Sequence, residues 1–271
     1  MIPNYAEIWR DSFKDGNGSM ELYQEEETAK SYDASATIWQ DGYARTEDLP
    51  CAPGDRVLDI GCGPGVLSVP LAERGCDVTV VEPSTAMLRL LSEHCCEKGL
   101  HISQIHSTWE DAVLPDDISY DYVIASYSLG MSDIEAALKK MNDVAGKRVF
   151  LYWFCGITGW ERITADLLPK LGRGEQPYRP KTDILYGVLA QMGIAADVQW
   201  LEGTKFDRTF PDRQGALEDL RKRFGVTDGR HDDLFEDYLD HGGVYRATAD
   251  GWLYMDSTRY VCISWKPTGR A

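Results

Sequence analysis

Between Val57 and Gly65 the chain reads Val-Leu-Asp-Ile-Gly-Cys-Gly-Pro-Gly, a short apolar run that ends in three alternating glycines. Such a segment predicts a strand that stops at a tight loop and re-enters a helix. Glycine there lets main chain approach a ligand closely and aims free N–H groups at it. The carboxylate of Asp59, two residues before Gly61, restricts which ligand. A pyrophosphate would share one small pocket with it at an electrostatic cost. A dinucleotide loop would also carry Gly or Ala where this chain has Val66. A cationic ligand suits Asp59 better, and a sulfonium compound with an amino-acid tail offers it an ammonium.

The surrounding pattern predicts a parallel sheet with helices on both faces. Strands are expected at 56–60, 77–81, 101–105, 120–125 and 148–154, with a strand at 197–201 and a last one at 260–265. Helices are expected from Gly65 to Arg74, from a Ser84 cap to Gly99, and after a capping box at Ser132–Glu135. A second box, Thr158–Glu161, opens a helix expected to run to Leu171, and another runs from Thr182 to Met192. Residues 1–50 read as two helices joined by a loose stretch at 14–19, and 203–255 as an insert with two amphipathic helices. The expected organisation is therefore an N-terminal helical lid at 1–50, a Rossmann-like core at 51–202, a helical insert or lid at 203–255, and a final strand within 256–271.

Two further strand ends carry chemistry. Glu82, followed by Pro83, lies 21 residues after Gly61, where a carboxylate can accept both hydroxyls of a ribose. Met87, one turn into the next helix, can pack on an adenine face. In Ser107-Thr-Trp-Glu-Asp111, Trp109 can stack on or wall an adenine and Glu110 can accept its exocyclic amine.

These segments, LDIGCGPG at 58–65, VVEPS at 80–84, STWED at 107–111 and YDYVIASYS at 120–128, resemble the class I S-adenosylmethionine-dependent methyltransferases. The resemblance implies a seven-stranded, mostly parallel sheet with an antiparallel last strand. It implies that Asp59, Gly61, Cys62 and Gly63 hold the methionine part of S-adenosylmethionine, Glu82 the ribose, and Trp109 with Glu110 the adenine. Ser126 and Tyr127 would border the reactive methyl, and S-adenosylhomocysteine would be the product. The turn at 145–148, Ala-Gly-Lys-Arg, departs from the Pro-Gly-Gly of many relatives, and no Asn-Pro-Pro-Tyr type motif follows strand four. Tyr127, Tyr32 and Trp160 are the candidate catalytic side chains, with Tyr32 also counted on the cofactor side.

Charge narrows the acceptor. Lys and Arg total 28 against 44 Asp and Glu, a net charge of −16, which disfavours nucleic acid and anionic membranes as partners. A small-molecule acceptor is expected. The alternatives are a polypeptide side chain as acceptor, or a non-catalytic subunit that binds the cofactor for a partner. No signal segment, membrane span or zinc-type cysteine spacing is visible, so a cytoplasmic protein with free thiols and no metal is expected. The basic run Arg221–Arg223 reads as a solvated helix face, and His241 of the Asp233, Asp237, His241 stripe is explained by the favourable dipole at its helix end.

Overall fold

The computed structural model describes residues 2–13, 23–115, 119–174, 179–226 and 228–268. The loose 14–19 stretch lies outside them. The chain divides into two units, the first built from Met1–Gly156, Tyr178–Glu202 and Tyr260–Ala271, the second from Ile157–Pro177 and Gly203–Arg259.

The first unit is a seven-stranded sheet in the order β3-β2-β1-β4-β5-β10-β6. Its strands are β1 (Arg56–Ile60), β2 (Asp77–Glu82), β3 (Ser103–His106), β4 (Tyr120–Ser126), β5 (Ala145–Cys155), β6 (Asp197–Trp200) and β10 (Arg259–Trp265). β1 pairs in parallel with β2 and β4, β2 with β3, and β4 with β5, whereas β10 runs antiparallel to β6. Burial along β1 is continuous from Val57 to Ile60, as required of a strand covered on both faces. Leu58 and Ile60 join one hydrophobic core and Val57 the other, so the sheet separates two cores. Strand order reverses between β1 and β4. That switch leaves a crevice at the carboxyl ends of the strands, where ligands bind in open sheets of this kind.

Helices fill the connections: α4 (Ser68–Glu73), α5 (Thr85–Lys98), α6 (Ile134–Val144) and α8 (Thr182–Gln191). Ser84 caps α5 by accepting from the Met87 amide, and Gly99 closes it at φ 65°. α6 starts one residue later than its sequence suggests, with Asp133 rather than Ser132 accepting from the Ala136 amide. A carboxylate at that end also favours the helix dipole.

The N-terminal 50 residues differ from the expected two-helix lid. Three helices are described: α1 (Tyr5–Asp11), α2 (Glu26–Asp33) and α3 (Ala36–Glu47). The expected second helix breaks at Ala34–Ser35, where Ser35 is extended and the Trp39 indole satisfies the Asp33 carbonyl at 2.9 Å. Trp9 is fully buried and donates to the Met131 carbonyl at 2.8 Å. The segment is thus part of the first unit's core.

The second unit holds α7 (Gly159–Leu167), α9 (Arg213–Phe224) and α10 (Asp232–His241), with β7 (Arg208–Phe210), β8 (Tyr245–Thr248) and β9 (Gly251–Tyr254) in the order β7-β9-β8. The Thr158–Glu161 capping box forms as expected. The helix stops at Leu167 instead of Leu171, because Pro169 lacks an N–H and its ring blocks continuation; a 3₁₀ turn follows over Pro169–Leu171. Ile163 and Leu167 of α7 pack with Leu217, Leu220, Phe224, Phe235 and Leu239. The unit therefore includes 157–177 in addition to the expected insert. Its three-stranded sheet has no counterpart among the strands expected from the sequence. Ala249 and Asp250 make the two-residue turn of the β8–β9 hairpin, with Gly251 already paired to Thr248.

Candidate functional site

Asp59 lies on the central strand, opposite Val80 of β2 and Ile124 of β4. Its side chain is 1% exposed. Oδ2 accepts from Ser68 Oγ at 2.5 Å, whereas Oδ1 has no hydrogen-bond partner among the described residues. Burial pushes its pKa up to about 6, against the Ser68 hydrogen bond and the positive charge of Arg45. A buried carboxylate oxygen without a partner is costly. An ammonium beside Oδ1 would remove that cost.

The glycine loop is shaped by left-handed backbone. Gly61 has φ 67° and donates to the Val81 carbonyl at 2.7 Å; a Cβ there would fall on the Ser128 side chain. Gly63 has φ 56°, and a Cβ there would meet open space. Cys62 is buried, donates to the Gly63 carbonyl at 3.3 Å, and its thiol is pushed well up by burial.

Glu82 ends β2 with both carboxylate oxygens engaged. Oε2 accepts from the Gly63 amide at 2.9 Å and Oε1 from the Ser84 amide at 2.8 Å. It thereby ties the glycine loop to the start of α5, and each oxygen keeps lone-pair capacity for a hydroxyl donor. Burial raises its pKa, and the two amides oppose that. The adjoining Pro83 carbonyl accepts from the Gln24 side chain at 3.0 Å. Met87 is buried with Ala29, Ala86 and Leu90, and Tyr23 and Tyr32 pack on that cluster.

Trp109 is placed differently from the expectation that it stacks on adenine. It is 2% exposed, its indole donates to the Ala137 carbonyl at 3.1 Å, and the Lys140 ammonium lies 4.3 Å from its ring centroid. It anchors the loop after β3 into the core instead of presenting a face. Glu110, next to it, is exposed.

Ser126 and Tyr127 close β4. Tyr127 has φ 55°, stacks on Phe154 at 5.3 Å and meets Tyr260 edge-on. Above this edge sits Arg45 of α3, which the sequence did not single out. Its Nη1 donates to Ser126 Oγ at 2.6 Å, and its guanidinium lies 5.0 Å and 4.7 Å from the Tyr127 and Tyr152 ring centroids. α3 can approach this closely because Gly42 faces Val66, where a side chain would collide with the Val66 carbonyl. Burial drives the phenols of Tyr32, Tyr127 and Tyr152 well above the ordinary range, so none is a ready base near neutral pH. Trp160 belongs to the second unit, in the first turn of α7. In that unit Arg221 pairs with Asp232, a helix-surface role for the basic run. Among the described residues no group of three His, Cys, Asp or Glu is placed to hold a metal ion, and no helix is long and apolar enough to cross a membrane.

The sheet order, with carboxylates at its switch point, defines a Rossmann-like core. Residues 57–147 match the family model described as a methyltransferase domain. An uncharacterised protein of Haemophilus influenzae is 34% identical over 150 residues, 55% of this chain and 54% of its own length. The ubiquinone biosynthesis O-methyltransferase of Maricaulis maris is 38% identical over 71 residues, 26% of this chain and 28% of that enzyme. The chain thus spans about half the length, or less, of these curated relatives. The YcgJ protein of Bacillus subtilis shares the fold with a TM-score of 0.58 at 16% identity, over 85% of this chain and 100% of that one. Residues 57–147 therefore resemble a methyltransferase domain, carried on a sheet whose fold YcgJ shares.

Proposed function

We propose that this chain binds S-adenosylmethionine at the β1–β4 crevice and passes its methyl group to a small-molecule acceptor, leaving S-adenosylhomocysteine. The observation that carries the reading is Asp59 Oδ1, a buried carboxylate oxygen that lacks a partner among the described residues and matches an ammonium. Arg45, close enough to Asp59 to bias its ionisation, suits the carboxylate of the same amino-acid tail. Glu82 would accept from the ribose hydroxyls and Glu110 from the adenine amine, with Gly61, Cys62 and Gly63 lining the tail. Pro83, Met87 and Tyr32 flank the ribose and adenine end, and Ser126 and Tyr127 lie beside the methyl.

The cofactor supplies an activated methyl group on a sulfonium. What remains for the protein is to align the acceptor and exclude water. The aromatic edge of Tyr127, Tyr152, Phe154 and Tyr260 suits both tasks. The high phenol pKa values of Tyr127 and Tyr152 leave them as walls, so an acceptor that loses its own proton readily fits the site best. The relatives named as ubiquinone biosynthesis O-methyltransferases make phenols the first acceptors to examine, although their match covers a minor part of each chain.

Incubation with methyl-labelled S-adenosylmethionine and a panel of phenols, amines and thiols tests the proposal. Label should move to at least one small molecule. Tight cofactor binding with no labelled product, while a partner protein becomes labelled or active, would make the chain a cofactor-binding subunit or a protein methyltransferase instead.

A further inference from the structure

Lys140, on α6, is remote in sequence from every residue named for the site. Its ammonium donates to three main-chain carbonyls of one turn: Trp109 at 2.6 Å, Ala112 at 2.7 Å and Glu110 at 3.3 Å. A lysine has three N–H donors, and here all three converge on one short stretch of backbone. In a trans peptide unit the N–H points opposite to the C=O. With the carbonyls of 109, 110 and 112 drawn inward, the amides of Glu110, Asp111 and Val113 are turned outward. The Asp111 amide meets Thr108 Oγ1 at 3.3 Å, and Thr108 Oγ1 also donates to the Asp111 carboxylate at 3.0 Å. The turn follows His106, the ladder partner of Glu82. It is therefore next door to the proposed ribose site.

We propose that Lys140 is a positioning residue: by gathering these carbonyls it fixes the 109–112 turn in the shape that reads the amino edge of the cofactor's adenine. This rests on the cofactor reading above. Without the ammonium, three carbonyl dipoles would face one another uncompensated and the turn would relax. The Trp109–Ala137 hydrogen bond would still tether it, so the consequence is loosened base recognition and not an unfolded loop.

The test compares S-adenosylhomocysteine with S-inosylhomocysteine, in which a carbonyl replaces the exocyclic amine, by calorimetry on the full chain. Wild type should prefer the adenosyl compound by about thirtyfold or more, the scale of a site that hydrogen-bonds a group its competitor lacks. In Lys140→Met the preference should fall to within about threefold, with affinity for the inosyl compound within about threefold of wild type. If Lys140→Met does not fold, Lys140→Gln, which keeps two donors on a side chain one bond shorter, should show a preference intermediate between those values. An unchanged preference, or equal weakening of both ligands, overturns the proposal and leaves Lys140 with a structural role only. Wild type that binds both compounds equally well also overturns it. Wild type that binds neither compound defeats the cofactor reading instead.

Discussion

Arg45 and Asp41 sit one turn apart on α3 and form an ion pair, Nε to Oδ2 at 2.7 Å, with side chains only 5% and 9% exposed. Arg45 continues to Ser126 Oγ at 2.6 Å, so one guanidinium fastens the N-terminal segment to the end of β4. Removing one member of a buried pair leaves the other charge uncompensated, at a cost of about 3–5 kcal/mol. Asp41→Asn and Arg45→Met should each lower unfolding free energy on that scale in urea titrations. The double variant should lose clearly less than the sum of the two. Additive losses would mean that the charges do not depend on each other.

Asp59 gives a pH signature with a definite sign. Its folded pKa, about 6, lies above its ordinary value of 3.8. Between those values the folded state binds more protons than the unfolded one, so the stability of the ligand-free protein falls as pH rises through this window. A shift of that size corresponds to at most about 3 kcal/mol. Asp59→Asn should therefore raise the melting temperature of the ligand-free protein at pH 7 while weakening S-adenosylhomocysteine. In wild type, affinity for that compound should be flat above pH 6 and fall by up to about tenfold per unit below it, as the carboxylate is neutralised. A melting temperature lowered by Asp59→Asn, or affinity indifferent to pH from 5 to 7, contradicts this account.

The glycine loop separates steric from conformational cost. Gly61→Ala adds a methyl group onto the Ser128 side chain as well as a left-handed alanine, whereas Gly63→Ala adds only the latter. Gly63→Ala should cost about 1–2 kcal/mol in urea unfolding, and Gly61→Ala more than that. Equal losses would show that the loop accommodates a side chain at Gly61.

Glu82 does more than a ribose ligand must. Because its oxygens hold the Gly63 and Ser84 amides, Glu82→Ala should both weaken S-adenosylhomocysteine by tenfold or more and reduce stability by about 1–3 kcal/mol. Calorimetry and urea unfolding on the same preparation check the two effects. Weaker binding at unchanged stability would mean that the amides find other partners.

Local pattern was sufficient wherever one element carries its own signal. The run Val57–Ile60, the Ser84 cap, the Gly99 stop and the Thr158–Glu161 box are all set by neighbours within a few residues, and each appears in the structure. Arg45 was not legible, because its role comes from α3 packing through Gly42 onto Val66, a contact between segments far apart in sequence. The burial of Trp109 is not legible in the sequence for the same reason. An indole in a loop can face a ligand or the core, and the deciding partners, Ala137 and Lys140, lie on another helix. The second unit's short strands were hidden because β8 and β9 have only four residues each and their pairing depends on the hairpin turn.

Asp59 and Glu82 are proposed to shape the crevice for an adenosyl compound with a cationic tail. Calorimetric titration of the wild-type chain at pH 7.5 with S-adenosylhomocysteine and, separately, with NAD tests this proposal most directly. Saturable one-to-one binding of the adenosyl compound, weakened in Asp59→Asn, and no measurable heat from NAD are expected. Binding of NAD with none of S-adenosylhomocysteine would contradict it.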